Sequence, residues 1–258
     1  MRNRGILGKR EGSFRILAIA LALTCILILA ASTLPAAEGT DASLDQLIEG
    51  FKKVTVASVA DAVDQVTGMR GFMTHDMRPI FKTKVVGPAV TVLIRPSIKA
   101  TEPQTRNHSL MAIDEADPGS VLVIVVEESL DISGIGGLMA TACKARDLAG
   151  AVIDGAARDV DEIAEMGFPV FSRSITSATS VGRYASVGKN IQVQCAGVPV
   201  TPGDILVGGS DGVVVVPREK AAEVLDIAQK IDEKEAKMVP LIKKEKSILK
   251  AVEKFKRL

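Results

Sequence analysis

The feature that most constrains the fold is an alternation of short aliphatic runs with helical segments between residues 84 and 171. The clearest run, Val121–Val126, is six consecutive apolar residues, which is typical of a strand buried on both faces of a parallel sheet. Strand-like runs then follow one another from residue 191 to 216, separated by Gly- and Pro-containing turns. With 3% aromatic residues and no Trp, the core must be built from Val, Ile, Leu and Ala. The pattern predicts a single α/β domain with a mixed sheet.

Local signals predict the individual elements. Ser43 predicts an N-cap for a helix over Leu44–Phe51. We expect Gly87 and Pro88 to bend the strand run over 84–95, because proline cannot donate a hydrogen bond within a central ladder. Further helices are predicted at 57–66, 106–116, 138–147, 159–166, 218–237 and 247–255, with an interruption at Pro240. Strands are predicted at 151–153 and 169–171. Turns are predicted at 117–119 and 154–155, and a Gly-rich loop at 133–137.

The first 37 residues form a basic leader followed by an apolar run. Five Arg and Lys side chains precede the apolar residues 16–31, and a small-residue stretch then ends in Ala36 and Ala37. This order is typical of a secretory signal cut after either alanine. The uncharged span 16–37 is also just long enough to cross a bilayer if it is retained. We therefore expect an exported (periplasmic or extracellular) or membrane-anchored protein, with a linker and first helix over 38–54 and the folded domain over 55–258.

The charge balance beyond this leader argues against a nucleic-acid partner. Residues 38–258 carry 27 basic and 30 acidic side chains. A domain with this net negative charge has no overall attraction for phosphate backbones. The scarcity of aromatic residues also argues against base stacking. Contact with a membrane is expected only through residues 16–37.

A glycine-rich segment, Gly134-x-Gly136-Gly137, precedes the helix predicted at 138–147. A dinucleotide-binding fingerprint needs a further glycine where Met139 stands, so the sequence does not favour a Rossmann-type cofactor loop. The first amides of the helix are free donors at its positive end, which suits a carboxylate ligand. The alternative is that the glycines only turn the chain.

Arg158 and Asp159 form the second motif, and it also has two interpretations. Asp159 followed by Glu162 is a helix N-terminal signature, so the carboxylate of Asp159 could simply cap its own helix. A carboxylate completed by waters is equally suited to Mg²⁺. The planar guanidinium of Arg158 matches a substrate carboxylate in a two-point contact.

The histidines and cysteines provide weaker evidence for a functional site than these two motifs. His75 and His108 are the two histidines of the chain, and neither has a partner at metal-ligand spacing, so a His-rich zinc site is excluded. Beyond the leader, Cys143 and Cys195 are too few for a disulfide framework or a metal knuckle. We expect them to be small buried apolar residues.

Three segments together resemble a known family. Residues 84–92 (KVVGPAVTV), 136–171 (containing DGAARD) and 202–219 (containing PGDILVGG) resemble the class II aldolases that include 4-hydroxy-4-methyl-2-oxoglutarate aldolase and the regulator of ribonuclease activity A (RraA). The resemblance extends over about residues 55–250. In that family the backbone of a four-residue loop and a following arginine bind a 2-oxo acid, and the next aspartate holds a divalent metal. Here those positions are Gly136, Gly137, Leu138 and Met139 for the loop, Arg158 for the arginine and Asp159 for the metal ligand.

The resemblance also implies a fold, an assembly and a reaction. The fold is a swivelling β/β/α-type domain, and the assembly is a homotrimer or hexamer. The reaction cleaves a small 2-oxo acid, of the 4-hydroxy-4-methyl-2-oxoglutarate or oxaloacetate type, to release pyruvate with the help of Mg²⁺ or Mn²⁺. Residues 127–131 differ from the GGD- or GGS-like stretch of characterised aldolases, which bears on the identity of the substrate.

Two other classes of function are consistent with parts of the sequence. A non-catalytic binding or regulatory protein, as in the ribonuclease-regulator branch, would need no metal, whereas the intact Arg158-Asp159 pair favours a working site. A methyltransferase would need a Gly-rich loop after a first strand and an acidic residue ending the second, and the sequence has neither. The resemblance therefore implies a metal-dependent lyase with Arg158 and Asp159 at its centre.

Overall fold

The computed structural model describes residues 42–97 and 107–257. The predicted signal or anchor segment, residues 1–37, lies outside these ranges, so its prediction stays open. The described residues form one compact unit. Within the described ranges, no helix combines the length and apolar character needed to cross a membrane.

Helices and strands alternate through the first two thirds of this unit. The helices are α1 (Leu44–Phe51), α2 (Val56–Thr67), α3 (His108–Glu115), α4 (Gly137–Ala145), α5 (Val160–Met166), α6 (Ala221–Glu245) and α7 (Ile248–Phe255), with a 3₁₀ turn at Arg218–Lys220. The strands are β1 (Arg78–Pro79), β2 (Val85–Pro96), β3 (Val121–Val126), β4 (Ser133–Ile135), β5 (Gly150–Ala157), β6 (Val170–Ile175), β7 (Tyr184–Lys189), β8 (Val193–Cys195), β9 (Val198–Val200), β10 (Ile205–Gly209) and β11 (Gly212–Val216).

Most strands of the described chain join one mixed sheet. Its order is β1-β6-β5-β3-β2-β10-β11, with β4 added to β5 and β7 added to β2. The central strands β2, β3, β5 and β6 run parallel, whereas β10 and β11 continue the sheet antiparallel. Strands β8 and β9 form a separate hairpin. The predicted mixed α/β architecture is confirmed.

The core lies on both faces of the sheet, which explains the continuous apolar runs. On one face, Leu122 and Ile124 of β3 pack with Ala140 and Cys143 of α4. On the other face, Val123 of β3 packs with the β8–β9 hairpin. Helices α1, α2 and α6 cover strands β10 and β11 in a third apolar cluster. Because β3 is buried on both sides, a polar residue anywhere along it would lose its hydration.

The predicted bend at Gly87 and Pro88 is wrong, since both residues lie inside β2 and pair with β10. The proline is tolerated because parallel pairing with β3 begins only at Ala89, and Ala89 donates its N–H to the carbonyl of Asp204. Glycine is required at position 87 for a different reason. A Cβ there would lie 2.2 Å from the carbonyl oxygen of Gly119.

The predicted turn at residues 154–155 is also wrong, because β5 continues through it to Ala157. The register shifts between Ile153 and Ala156, and Gly155 takes φ 155° within this irregularity. Asp154 can stay in the strand because Arg173 donates to its Oδ1 and the N–H of Ala196 donates to its Oδ2. A polar residue inside a strand was therefore mistaken for a turn signal.

Two further local predictions need correction. Residues 133–135 of the predicted Gly-rich loop form strand β4, which pairs with β5. Pro240 lies inside α6 and does not interrupt it. It is exposed, so the carbonyl that loses its helical partner there can be hydrated. The predicted helices at 44–51 and 247–255 are confirmed, with the side chains of Ser43 and Ser247 as N-caps.

Candidate active site

The carboxyl ends of β4 and β5 bring the two sequence motifs together. Parallel pairing places Ile135 of β4 opposite Ala157 of β5, and the amide of Arg158 donates to the carbonyl of Ile135 at 3.1 Å. Gly136 and Arg158 therefore leave the sheet side by side. The edge formed by the carboxyl ends of parallel strands is where α/β proteins commonly bind ligands.

Asp159 does not cap its own helix. It occupies the N-cap position of α5 in the left-handed conformation, with φ 55° and ψ 38°, and its side chain makes no capping hydrogen bond there. Instead, the amide of Gly137 donates to its Oδ2 at 2.9 Å. The carboxylate thus sits at the positive end of α4, where the helix dipole stabilises an anion. The simple capping interpretation is wrong.

The glycines at 136 and 137 make room for side chains of the second motif. A Cβ at position 136 would lie 2.8 Å from Nε of Arg158 and 2.8 Å from Oδ2 of Asp159. A Cβ at position 137 would lie 2.5 Å from Oε2 of Glu162. The glycines therefore do more than turn the chain, because they admit one guanidinium and two carboxylates to the start of α4.

The first turn of α4 retains free donors. Gly136 is its N-cap and has no side chain to cap it, and the amide of Gly137 is taken by Asp159. Amides at the next two positions, Leu138 and Met139, have no acceptor within a helix. Together with Arg158, they form a site that can hold a carboxylate.

A cleft of about 260 Å³ opens beside these groups. Gly136, Leu138, Met139 and Arg158 line it, so four of the six predicted site residues share one cavity. Gly137 and Asp159 adjoin the cleft through the contacts described above without lining it. Strands β2 and β4 also contribute lining residues. Six more come from α3, from β7 and from the loop before β7, and sequence reasoning missed these six: Ser109, Leu110, Thr179, Val181, Tyr184 and Ser186. The single tyrosine of the chain was a signal that could have been followed.

Arg158 and Asp159 also contact each other. Nε of Arg158 lies 3.5 Å from Oδ2 of Asp159, and each side chain is 39% exposed. An ion pair this exposed contributes little to stability, in the range of about 0–1 kcal/mol. The pair therefore adds little to the stability of the fold.

The donor set fits a hard divalent cation held by few protein ligands. The described residues contain no group of three or more His, Cys, Asp or Glu side chains that could hold a metal. The amide of Gly137 and Nε of Arg158 both contact Oδ2 of Asp159, so among the described residues Oδ1 remains available as a ligand. Glu162 supplies a second carboxylate beside Gly137. One or two carboxylates completed by waters match the coordination habits of Mg²⁺.

The cysteines are structural, as predicted. Cys143 and Cys195 are buried and unpaired. Burial raises the pKa of the Cys143 thiol to about 12, and burial is also the main reason that the pKa of Cys195 is well above its usual value. Neither thiol is a nucleophile at neutral pH.

Residues 56–215 match the RraA-like family, described as Aldolase/RraA. The chain belongs to the RraA-like family. A relative from Halalkalibacterium halodurans, provisionally named a 4-hydroxy-4-methyl-2-oxoglutarate aldolase, is 33% identical over 71% of this chain and 82% of its own length.

Solved structures agree with this RraA-like assignment. A Pseudomonas syringae pv. tomato protein matches with a TM-score of 0.70 and 27% identity, covering 80% of this chain and 96% of that one. A Streptomyces coelicolor protein, described as an unusual member of the RNase ES inhibitor RraA family, matches with a TM-score of 0.65 and 27% identity, covering 74% of this chain and 93% of that one. The resemblance inferred from three segments is confirmed at the level of the family, whose named members include both aldolases and a ribonuclease-inhibitor relative.

Proposed function

We propose that this RraA-like chain is a divalent-metal-dependent aldolase and decarboxylase that cleaves a 2-oxo acid and releases pyruvate. The observation that carries the proposal is the convergence of Arg158, Asp159 and the free amides of α4 at one cleft. Arg158 and Asp159 belong to one motif, and the amides belong to the other. The Arg158–Asp159 pair is exposed and adds little to stability, so the stability of the fold does not require the two motifs to meet. The name of the Halalkalibacterium halodurans relative supports the same class of reaction.

Each group has a distinct task in this proposal. Arg158 binds the substrate carboxylate in a two-point contact, and the amides of Leu138 and Met139 add fixed positive potential beside it. Asp159, with Glu162 close by, holds the cation. A bound Mg²⁺ or Mn²⁺ supplies Lewis-acid stabilisation of the negative charge that develops on the oxo group. Loss of CO₂ from oxaloacetate develops the same charge, so both activities are expected.

Replacing Asp159 tests the metal role directly. Asp159→Asn keeps the size of the side chain and an oxygen that can accept from the Gly137 amide, but removes the charge. We expect the affinity for Mn²⁺, measured by calorimetry, to fall by at least roughly tenfold, and pyruvate release from oxaloacetate to fall with it. Asp161→Asn, an exposed position on the same helix, is the matched control and should change neither quantity. Unchanged metal binding and turnover in Asp159→Asn would refute the metal site.

Arg158→Lys separates charge from geometry. Lysine keeps the positive charge but loses the planar fork, so the KM for the 2-oxo acid should rise by roughly ten- to a hundredfold. Metal affinity should stay near that of the wild-type chain. A fall in metal affinity with an unchanged KM would assign Arg158 to the cation site and contradict its role as a carboxylate ligand.

A non-catalytic binding or regulatory function is the second candidate, and the Streptomyces coelicolor relative is the observation that favours it. Such a protein would not need the free amides and the guanidinium at one cleft. The absence of pyruvate release from any 2-oxo acid, with Mg²⁺ and with Mn²⁺, would favour this candidate over the enzyme.

A further inference from the structure

The last two helices, α6 and α7, form a hairpin that lies outside the cleft. Lys246 ends α6 in the left-handed conformation, with φ 50°, and the side chain of Ser247 caps α7. Near the end of α7, the guanidinium of Arg257 donates to Glu235 of α6 at 3.0 Å, which holds the two helices together. Residues 243–250, where the chain passes from one helix to the other, are the hairpin tip.

Two adjacent aliphatic side chains on the hairpin tip face solvent. Ile248 is 53% exposed and Leu249 is 70% exposed, whereas Ala251, on the next turn of α7, is buried. Neither side chain packs into the three apolar clusters formed by the described residues. Single exposed apolar residues are common on soluble proteins, but these two form one patch. They are therefore available to an apolar environment outside the chain.

Lysines surround this patch. The hairpin tip contains Lys243, Lys244, Lys246 and Lys250, all exposed, and a single acidic residue, Glu245. Lys250 pairs with Glu245 at 2.8 Å. The other three lysines form no ion pair with any residue that the structure describes. Four lysines against one glutamate leave the tip with a net charge of +3.

The rest of the folded domain has the opposite charge. Residues 237–257 contain eight basic and two acidic side chains, whereas residues 38–236 contain 19 basic and 28 acidic ones. The net charges are therefore +6 for the C-terminal part and −9 for the remainder. An anionic surface attracts the first part and repels the second, so it would meet the chain with the hairpin first.

We propose that the hairpin tip binds an anionic lipid surface, with Ile248 and Leu249 at the level of the headgroups and the lysines on the lipid phosphates. Aliphatic and basic side chains together are typical of helices that bind membrane interfaces. A nucleic acid would use the lysines but leave both aliphatic side chains in water. Since no described helix is able to cross a membrane, the contact is peripheral. It adds to the contact that the sequence predicts through residues 16–37, and it is independent of the proposed function.

Binding to lipid vesicles tests the proposal. The chain from residue 38 onward is used, because the apolar run at 16–31 could itself enter a bilayer and the described residues form one compact unit without it. Sedimentation should show at least about tenfold stronger binding to vesicles of phosphatidylglycerol and phosphatidylcholine than to vesicles of phosphatidylcholine alone. High salt should weaken this binding. Absence of binding, or equal binding to both kinds of vesicle, would overturn the proposal.

Charge reversal locates the contact on the hairpin tip. Lys243→Glu combined with Lys244→Glu should lower the binding to anionic vesicles at least roughly tenfold. Lys53→Glu combined with Lys82→Glu is the matched control, because these lysines are exposed outside the hairpin and the net charge changes by the same amount. The control should keep most of the binding. An equal loss in both double variants would show that the hairpin tip is not the contact.

A third pair of variants tests the aliphatic part of the contact. Leu249→Ser should weaken binding by roughly threefold or more, because less apolar surface leaves water. Met69→Ser, at a 62% exposed position outside the hairpin, is the control and should bind like the wild-type chain. Circular dichroism establishes that both variants remain folded. Wild-type binding by Leu249→Ser would contradict insertion. A smaller mass of Leu249→Ser in light scattering would assign this side chain to a second copy of the chain and overturn the proposal.

Discussion

Gly136→Ala should separate the active site from the stability of the fold. A Cβ at this position would lie 2.8 Å from both Nε of Arg158 and Oδ2 of Asp159, whereas ordinary contact begins near 3.4 Å. Both groups must therefore retreat by about 0.6 Å. Alanine is sterically allowed at φ −143° and ψ −177°, and its effect at an N-cap is about 1 kcal/mol or less. We expect a nearly unchanged fold and a damaged site.

Displacement of catalytic groups on this scale lowers kcat/KM by roughly ten- to a hundredfold. The assay is pyruvate release with Mg²⁺, alongside thermal unfolding by circular dichroism. Gly188→Ala is the matched control, because its Cβ approaches only the side chain of Ile191, at 3.3 Å or more, and Gly188 does not line the cleft. If Gly136→Ala kept the wild-type kcat/KM, the argument that Arg158 and Asp159 must hold these positions would fail.

Two further predictions concern pH and assembly. Burial by itself raises the pKa of Asp76, but the hydrogen bond and the charge of Arg173 outweigh it and lower that pKa to about 2. A carboxylate with a lowered pKa in the folded state stabilises the fold above pH 4, and this contribution of about 2 kcal/mol is lost as the pH falls from about 4 to about 2. The free energy of unfolding in urea should fall across that pH range, and it should fall less in Arg173→Met. An equal fall in the wild-type chain and in the variant would contradict this account. Light scattering of the chain from residue 38 onward should give the mass of a trimer or a multiple of it, and a monomer at micromolar concentration would count against the assembly.

The site could be predicted only in part. The positions of Gly136, Arg158 and Asp159 came from a family resemblance, while their spacing alone left helix capping and chain turning as alternatives. The structure changed that balance through two contacts, the amide of Gly137 on Asp159 and the close approach of Gly136 to Arg158. Both join residues about twenty positions apart through the pairing of β4 with β5, which no local pattern encodes.

The sequence by itself determined the elements whose signals are local. The helix at Leu44–Phe51 follows from Ser43 and Gln46, which form a capping box across one turn. Strand β3 follows from its six apolar residues, because burial on both faces leaves no room for polar ones. Such features depend on neighbours in the chain, so they can be recognised without knowing the rest of the fold.

Only the tertiary structure decided where the chain departs from the structure that its local sequence predicts. Pro88 stays inside β2 because the parallel pairing of β2 with β3 begins only at Ala89. Asp154 stays inside β5 because Arg173 and the Ala196 amide donate hydrogen bonds to its carboxylate. Strand β7 was missed because its half-buried residues gain their order from pairing with β2, about ninety residues earlier in the chain. In each case a distant partner supplies the hydrogen bond or the packing that the local sequence lacks, and the same kind of contact assembles the cleft around Arg158.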